Sequence, residues 1–261
     1  MRILISLLAA ILLTPAVASA DMQETIDQLN ANNSQVRTLT ADVSSTVVRR
    51  RVSIPLTGKL YFERPMNFRL INRDGRRHSF TSDLGSNDSY FWFYAKRVNS
   101  SQIYFSNYSN LSRTRIKDSL NPEWIIDALN MSLVDTKDAK IYMDGKNIAV
   151  SKVVQSPRRS QVLKVIKIDP QRPAIVGHYL LTSRRALIAS AEVSRFYKLS
   201  SGAFIPAEVN IVWPPEQVRI VWRLNNPRAN IKIDPKMWTM PNLGVRRVNL
   251  GTGVTVRGVN D

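Results

Sequence analysis

The residues that could do acid–base or metal chemistry are few and scattered along this sequence. The 261-residue chain holds two histidines, His78 and His178, and no cysteine. Neither histidine lies in an H-E-x-x-H segment, so the spacing typical of a zinc site is missing. Asp83 and Asp88 flank a Gly-Ser-Asn turn, which favours solvated turn carboxylates over an acid–base pair. We therefore predict no catalytic residue, no metal site, no cofactor and no enzymatic activity.

One arginine stands where an apolar side chain is expected. The segment GKLYFERPMNFRLINRDG, residues 58–75, is typical of two strands joined at Pro65–Met66. A guanidinium among apolar side chains costs several kcal/mol unless its donors are bound. Either the carbonyl end of a helix accepts those hydrogen bonds, or the strand ends there and the side chain reaches water. Alternation along the two strands places on one face Leu60, Phe62, Arg64, Phe68, Leu70 and Asn72.

The net charge is the unusual property of the composition. The chain carries a formal net charge of +17. Such an excess predicts an anionic neighbour, which could be a membrane surface, an acidic polysaccharide or nucleic acid. The alternative is that the basic surface only keeps the protein in solution.

The amino terminus predicts export. Met1-Arg2 is followed by the apolar run Ile3–Leu13 and by the A-x-A pattern of Ala18–Ala20, which is typical of a cleaved signal peptide over residues 1–20. We expect the mature protein to begin at Asp21 in the periplasm, without a lipid anchor, since no cysteine is present. Export makes nucleic acid an improbable partner for the positive charge.

The rest of the chain, residues 21–261, predicts a single mainly β domain with few helices. Apolar spacing favours a helix over Asp21–Arg37 and a short one opened by Asn121-Pro122-Glu123-Trp124. A further short strand is expected around Ile231 and Ile233. We expect about eleven antiparallel strands in an open barrel or strongly bent sheet, with helices on one face. The other predicted strands are Leu39–Val52, Leu56–Arg64, Asn67–Arg73, Arg77–Asp83, Asp88–Lys96, Gln102–Tyr108, Ile148–Val154, Gln161–Asp169, Ala174–Ser183, Leu187–Leu199, Ile205–Trp213 and Gln217–Leu224.

The order of two motifs resembles a known family. The run G-K-L-Y-F-E-R-P-M-N-F-R, followed by an Asn/Asp turn and the strand Y-F-W-F-Y, is similar to the LolA-like periplasmic outer-membrane lipoprotein-sorting family over Leu39 to Tyr108. The resemblance implies a half-open antiparallel β-barrel whose concave apolar face is covered by helices and binds acyl chains. It also implies that Arg64 hydrogen-bonds to the lid in the closed state, and that Phe68 is the family's phenylalanine. The run Val47–Val52 (VVRRRV) has no counterpart in the family.

The resemblance implies a site without catalytic residues. We expect a carrier that binds acyl chains of lipids or lipoproteins and docks on an anionic membrane surface or a membrane-bound receptor. The alternative is an envelope regulatory or scaffold protein of the same fold that binds a protein partner. Arg64 is the expected lid latch. The expected cavity or lid residues, each of which also fits an ordinary core, are Phe62, Phe68, Leu70, Trp92, Tyr94, Trp124 and Leu129.

Overall fold

A computed structural model describes residues 14–74, 80–96, 101–113, 122–156 and 160–256. Short 3-10 turns occupy Tyr108–Arg113, Pro214–Glu216 and Pro235–Trp238. The helices are α1 (Thr14–Ser34) and α2 (Pro122–Ala128), and the strands are β1 (Thr38–Arg49), β2 (Val52–Glu63), β3 (Asn67–Asp74), β4 (Phe80–Ser86), β5 (Tyr90–Ala95), β6 (Gln102–Asn107), β7 (Lys140–Asp144), β8 (Asn147–Gln155), β9 (Gln161–Asp169), β10 (Ala174–Thr182), β11 (Leu187–Lys198), β12 (Phe204–Trp213), β13 (Val218–Ala229), β14 (Arg246–Asn249) and β15 (Thr255–Val256).

All the described strands belong to one sheet. Its order is β15-β14-β6-β5-β4-β3-β2-β1-β13-β12-β11-β10-β9-β8-β7, with β15 and β7 at the edges. Neighbouring strands are antiparallel except β14, which runs parallel to β6. The described residues thus form fifteen strands, so the expected number of about eleven was too low. Three short strands, β7, β14 and β15, were missed, because they are too short for an alternating apolar pattern to stand out.

The first hairpin turns earlier than the sequence predicted. Residues 50 and 51 form the turn between β1 and β2, and Arg50 has the left-handed φ of 55°. Pro55, expected near the turn, instead lies within β2 opposite Thr46. Arginine is uncommon at turn positions with a left-handed φ, so the residue types at positions 50 and 51 do not indicate a turn. The short strand expected around Ile231 and Ile233 is also wrong, since residues 231–234 form no strand.

The antiparallel order places the strand connections at two opposite ends of the sheet. The end that holds the β1–β2 turn, called the Arg50 end, also receives the β3–β4, β5–β6, β8–β9, β10–β11 and β12–β13 connections. The end that holds the β2–β3 turn, called the Arg64 end, receives the β4–β5, β7–β8, β9–β10 and β11–β12 connections.

The two helices belong to different parts of the core. Trp124, Ile125 and Ile126 of α2 pack in one buried cluster with side chains of β1–β3 and β11–β13. This face of the sheet is called the inner face. Ile26 and Leu29 of α1 pack in a second cluster with β8, β9 and β10. Helix α1 continues from residue 14 through the predicted cleavage site, so cleavage stays a prediction.

The opposite, outer face buries an ion pair that was expected to be solvated. Asp83 is 1% exposed, and its carboxylate accepts hydrogen bonds from Arg69 Nη2 at 2.7 Å and Trp92 Nε1 at 2.8 Å. Arg69 Nη1 donates to the Met237 carbonyl at 3.1 Å, within a carboxyl-terminal segment that lies over this face. The prediction of a solvated turn carboxylate at Asp83 was wrong, because this distant segment excludes water from it. Asp88 is exposed, as expected.

Across the described part of the chain, no helix is both long enough and apolar enough to cross a membrane.

Candidate functional site

An apolar cavity of about 560 Å³ lies on the inner face, in the half of the sheet nearer the Arg50 end. Strands β1 to β6 form one wall, and β12 and β13 form the other. Ile125 of α2 also contributes to the lining. Apolar side chains such as Leu56, Leu84, Phe91 and Trp222 make most of the surface. The volume falls within the range of small-molecule sites, about 300 to 1,000 Å³.

Several polar side chains interrupt this apolar lining, and three of them carry a buried atom without a partner. Ser45, Asn72 and Trp213 all line the cavity and are each more than nine-tenths buried. Within the described residues, Ser45 Oγ, Asn72 Oδ1 and Trp213 Nε1 have no hydrogen-bond partner. The amide nitrogen of Asn72 donates to Ser82 Oγ at 3.1 Å, which directs the amide oxygen away from that partner. The cavity therefore offers an apolar wall together with three unpaired polar atoms, which are a hydroxyl, an acceptor and a donor.

Glycine at position 58 makes room for Asn72. Gly58 of β2 is paired with Asn72 of β3, and a Cβ added there would lie 2.7 Å from Asn72 Oδ1. Such a contact is far shorter than van der Waals separation, so any larger residue would displace the amide. The position of the amide oxygen at the cavity wall thus depends on this glycine.

The guanidinium of Arg64 binds three backbone carbonyls. Its Nε donates to Val36 O, its Nη1 to Met131 O and its Nη2 to Asn33 O, each at 2.8 Å. Asn33 lies in the last turn of α1, and Met131 follows α2 by three residues. Helix ends leave carbonyls unpaired, and their partial negative charge suits a cation. Burial lowers the pKa of Arg64 below its ordinary value.

The structure separates the predicted cavity residues into two groups on the inner face. Leu70 lines the cavity. Phe62, Phe68, Trp124 and Leu129 lie instead in the packed cluster on the same face. Trp124 still reaches the cavity wall indirectly, because its ring centroid lies 5.8 Å from that of Trp213. The face predicted from the alternation of β2 and β3 is correct.

Trp92 and Tyr94 require a correction, because they do not line this cavity. They are buried in a separate cluster with Ile103, covered by Met240 and Val245 of the carboxyl-terminal segment. On β5 the cavity is lined by the alternate residues, Phe91 and Phe93. Trp92, the largest side chain of the Tyr90–Tyr94 run, is therefore buried on the outer face of the sheet.

His178, the histidine within the described residues, belongs to no group of three or more potential metal ligands there. His178 is buried, and its Nε2 lies 3.1 Å from Asn130 Oδ1. Burial lowers the pKa of His178 to about 4, so its side chain is neutral near pH 7. His78 lies outside the described residues. No group of three or more potential metal ligands occurs in the ranges described above.

The fold is shared with several solved structures. One is a domain assigned to outer membrane lipoprotein sorting from Vibrio parahaemolyticus, with a TM-score of 0.59 and 8% identity, covering 84% of this chain and 97% of that one. A DUF1329 family protein from Desulfovibrio piger has a TM-score of 0.55 and 12% identity, covering 86% and 97%. A LolA superfamily protein from Nitrosomonas europaea has a TM-score of 0.54 and 9% identity, covering 84% and 97%.

Comparison of the sequence alone finds no relative. No family model matches it, and no curated protein matches it. At identities this low the structural neighbours establish the fold and nothing beyond it. The LolA-like fold predicted from the sequence is thereby confirmed.

Proposed function

We propose that this protein is an exported carrier that holds an acyl chain of a lipid or lipoprotein in the inner-face cavity. The observation that carries the proposal is the cavity itself, about 560 Å³ with a mainly apolar wall, within a LolA-like fold. Burial of hydrocarbon would supply the affinity. Ten buried methylenes contribute about 8 kcal/mol, which corresponds to a dissociation constant of about 1 μM.

The polar atoms in the wall support an amphiphilic ligand over a plain hydrocarbon. Trp213 Nε1 requires an acceptor and Asn72 Oδ1 requires a donor, while Ser45 Oγ can be either. A hydroxyl group satisfies either requirement, and an ester carbonyl satisfies the first. A buried polar atom that stays unpaired costs about 1–3 kcal/mol, so a ligand that pairs it is favoured over one that does not.

Helix α2 is the proposed lid, and Arg64 is its latch. Ile125 lines the cavity, so a ligand that enters meets this helix directly. Arg64 ties the segment after α2 to the end of α1 through Met131 O and Asn33 O. A bound acyl chain would replace apolar contacts of α2 and permit the helix to move. The three hydrogen bonds to backbone carbonyls support a latch role for Arg64 over the alternative in which its guanidinium only reaches water.

The proposal is tested by purifying the protein without detergent and analysing an organic extract by mass spectrometry. Uptake of a fluorescent fatty-acyl probe is measured in parallel. We expect co-purifying acylated species and micromolar probe binding. Ile54→Trp should block the cavity and weaken probe binding at least tenfold, because Ile54 lines the cavity near its rim.

Val153→Trp is the matched control, since Val153 is a similarly exposed strand residue outside the cavity. It should bind the probe like the unaltered protein. A protein that carries no lipid and takes up no probe would overturn the carrier proposal. The partner-binding scaffold would then be the better interpretation.

A further inference from the structure

The two ends of the sheet differ in charge. At the Arg50 end, the β1–β2 turn carries Arg49, Arg50 and Arg51, and the β10–β11 turn carries Arg184 and Arg185. All five side chains are exposed. Among the described residues, none of these guanidinium groups donates to a carboxylate. The positive charge at this end is therefore not neutralised by an acidic partner within the described chain.

Further residues at the same end continue the pattern. Lys96 follows β5, is exposed and lines the cavity. The β12–β13 connection differs, since it carries Glu216, and its arginine, Arg219, lies just inside β13.

The Arg64 end lacks such runs. Its connections contain three basic residues, Arg64, Lys146 and Arg172. Arg64 binds the carbonyls described above, and Arg172 forms an ion pair with Asp169 at 3.1 Å. Among the described strand connections, adjacent exposed arginines therefore occur at the Arg50 end and not at the Arg64 end, where exposed arginines such as Arg37 and Arg228 stand singly.

The cavity opens beside this charge. Val47 and Ile54 are paired and both line the cavity, and they lie two residue pairs away from Arg49 and Val52 at the turn. Exposed apolar side chains occur at the same rim, since Val52 is 60%, Ile54 46% and Phe93 42% exposed. Exposed apolar side chains bordered by arginines are suited to the interface between lipid headgroups and hydrocarbon.

The geometry points to a membrane-docking surface, here called the arginine rim, formed by Arg49–Arg51, Arg184, Arg185 and Lys96 with Val52, Ile54 and Phe93. Its occupant is the surface of a bilayer that contains anionic lipid. The arginines bind the anionic headgroups, and the apolar side chains enter the interface. Docking in this orientation brings the cavity against the bilayer, so an acyl chain can enter without crossing water. The inference names the membrane partner of the proposed carrier, and so rests on that function.

The rim is tested by sedimentation with vesicles of phosphatidylcholine, with or without phosphatidylglycerol, and with no fatty-acyl probe added. We expect binding to the anionic vesicles only, weakening as salt increases. The variant R50S/R51S/R184S/R185S should bind about 600-fold more weakly, because each basic residue near an anionic surface contributes about fivefold. V52S/I54S should reduce binding about tenfold, through loss of apolar insertion.

Two control variants distinguish the effect of the arginine rim on vesicle binding from the effects of net charge and of exposed apolar side chains in general. The variant K146S/K198S/K232S/K236S removes the same charge from exposed positions away from the rim and should change binding less than fivefold. The variant Y142S/M143S removes two exposed apolar side chains of β7, away from the rim, and should leave binding unchanged.

The docking surface is overturned if the two fourfold variants lose binding equally, or if neutral vesicles bind as well as anionic ones. It is also overturned if the protein does not bind anionic vesicles but binds soluble dextran sulfate, since that result would show that the arginines bind a soluble polyanion. No fatty-acyl probe is added and the readout is sedimentation with the vesicle, so docking is measured equally well for a protein that carries no lipid and takes up no probe.

Discussion

At the scale of single residues, Arg64 connects both helices to the sheet. One guanidinium joins the ends of both helices to the β2–β3 turn through carbonyls of Asn33, Val36 and Met131. A planar group with five donors can satisfy three carbonyls in different directions, which an ammonium cannot do as well. The arginine on an apolar face is thus compensated by helix-end carbonyls and not by an acidic side chain.

Replacement of Arg64 should loosen both helix ends. Arg64→Leu should lower the free energy of unfolding by about 2–4 kcal/mol, because three carbonyls lose a charged donor. Arg64→Lys should lower it less. Urea denaturation measures both values, and hydrogen exchange should report faster opening around Val36 and Met131. Arg37→Leu, an exposed arginine on the same segment, is the control and should change stability by less than about 0.5 kcal/mol. Equal effects of the two leucine variants would contradict the assignment.

The polar atoms of the cavity should select among ligands of equal chain length. Asn72→Leu and Trp213→Phe should each weaken binding of a monoacylglycerol about 5- to 10-fold, because a ligand hydroxyl or carbonyl loses its partner. Binding of an alkyl probe without a polar group should be unchanged or stronger. Calorimetric titration of both ligands measures the difference. Loss of both ligands to the same extent would indicate damage to the cavity and no polar selectivity.

At the scale of elements, the carboxyl-terminal segment stabilises the outer face. It supplies Met237 O to Arg69 and Trp238 O to the side chain of Asn87. Its residues Met240 and Val245 pack on the cluster of Trp92. The segment thereby converts one side of β3–β5 from a surface into a second small core, in which a charged pair is desolvated.

The buried pair should show strong coupling. Asp83→Leu should lower the free energy of unfolding by about 3–5 kcal/mol, because Arg69 is left charged and buried without its partner. The double variant Arg69→Met with Asp83→Leu should recover much of this loss, since no unpaired charge remains. Denaturation of the single and double variants forms a double-mutant cycle. Additive losses would contradict direct coupling between the two residues.

At the scale of the whole molecule, one end of the sheet is basic and the other joins the helices to the sheet. The cavity occupies the basic half, whereas Arg64 and the packed cluster around Phe62 occupy the other. In the proposed carrier, the ligand would enter at one end of the sheet and the lid would be tied at the other.

Global stability should depend on pH through His178. Its pKa is 6.5 in the unfolded chain and about 4 in the folded one, mainly because burial disfavours the charged form, with Asp127 opposing and Lys164 reinforcing the shift. The unfolded state therefore binds a proton first as pH falls. Stability is fully present above about 6.5 and decreases by about 3 kcal/mol between pH 6.5 and 4. Denaturation across this range, compared with His178→Gln, measures the slope, which should be shallower in the variant. Equal slopes in the two proteins would show that His178 is not responsible for the pH dependence of stability.

The sequence by itself determined the properties that depend on local pattern. Alternation along β2 and β3 assigned Leu60, Phe62, Leu70 and Asn72 to the inner face, because successive side chains of a strand point to opposite sides. It also singled out Arg64 as a residue that needs partners. The LolA-like fold followed from two motifs in order.

Only the tertiary structure decided which distant segments meet. Trp92 was predicted as a cavity residue, but residues 240 and 245 cover it on the outer face. The sequence around Trp92 does not indicate that contact. Asp83 was expected to be a solvated turn carboxylate, but in the structure it is buried and accepts hydrogen bonds from Arg69 and Trp92. The arginine pairs are spread along the sequence, and antiparallel pairing gathers the described ones at one end of the sheet. Alternation is a property of neighbouring residues, whereas burial, cavities and charged surfaces arise from contacts between residues far apart in the chain.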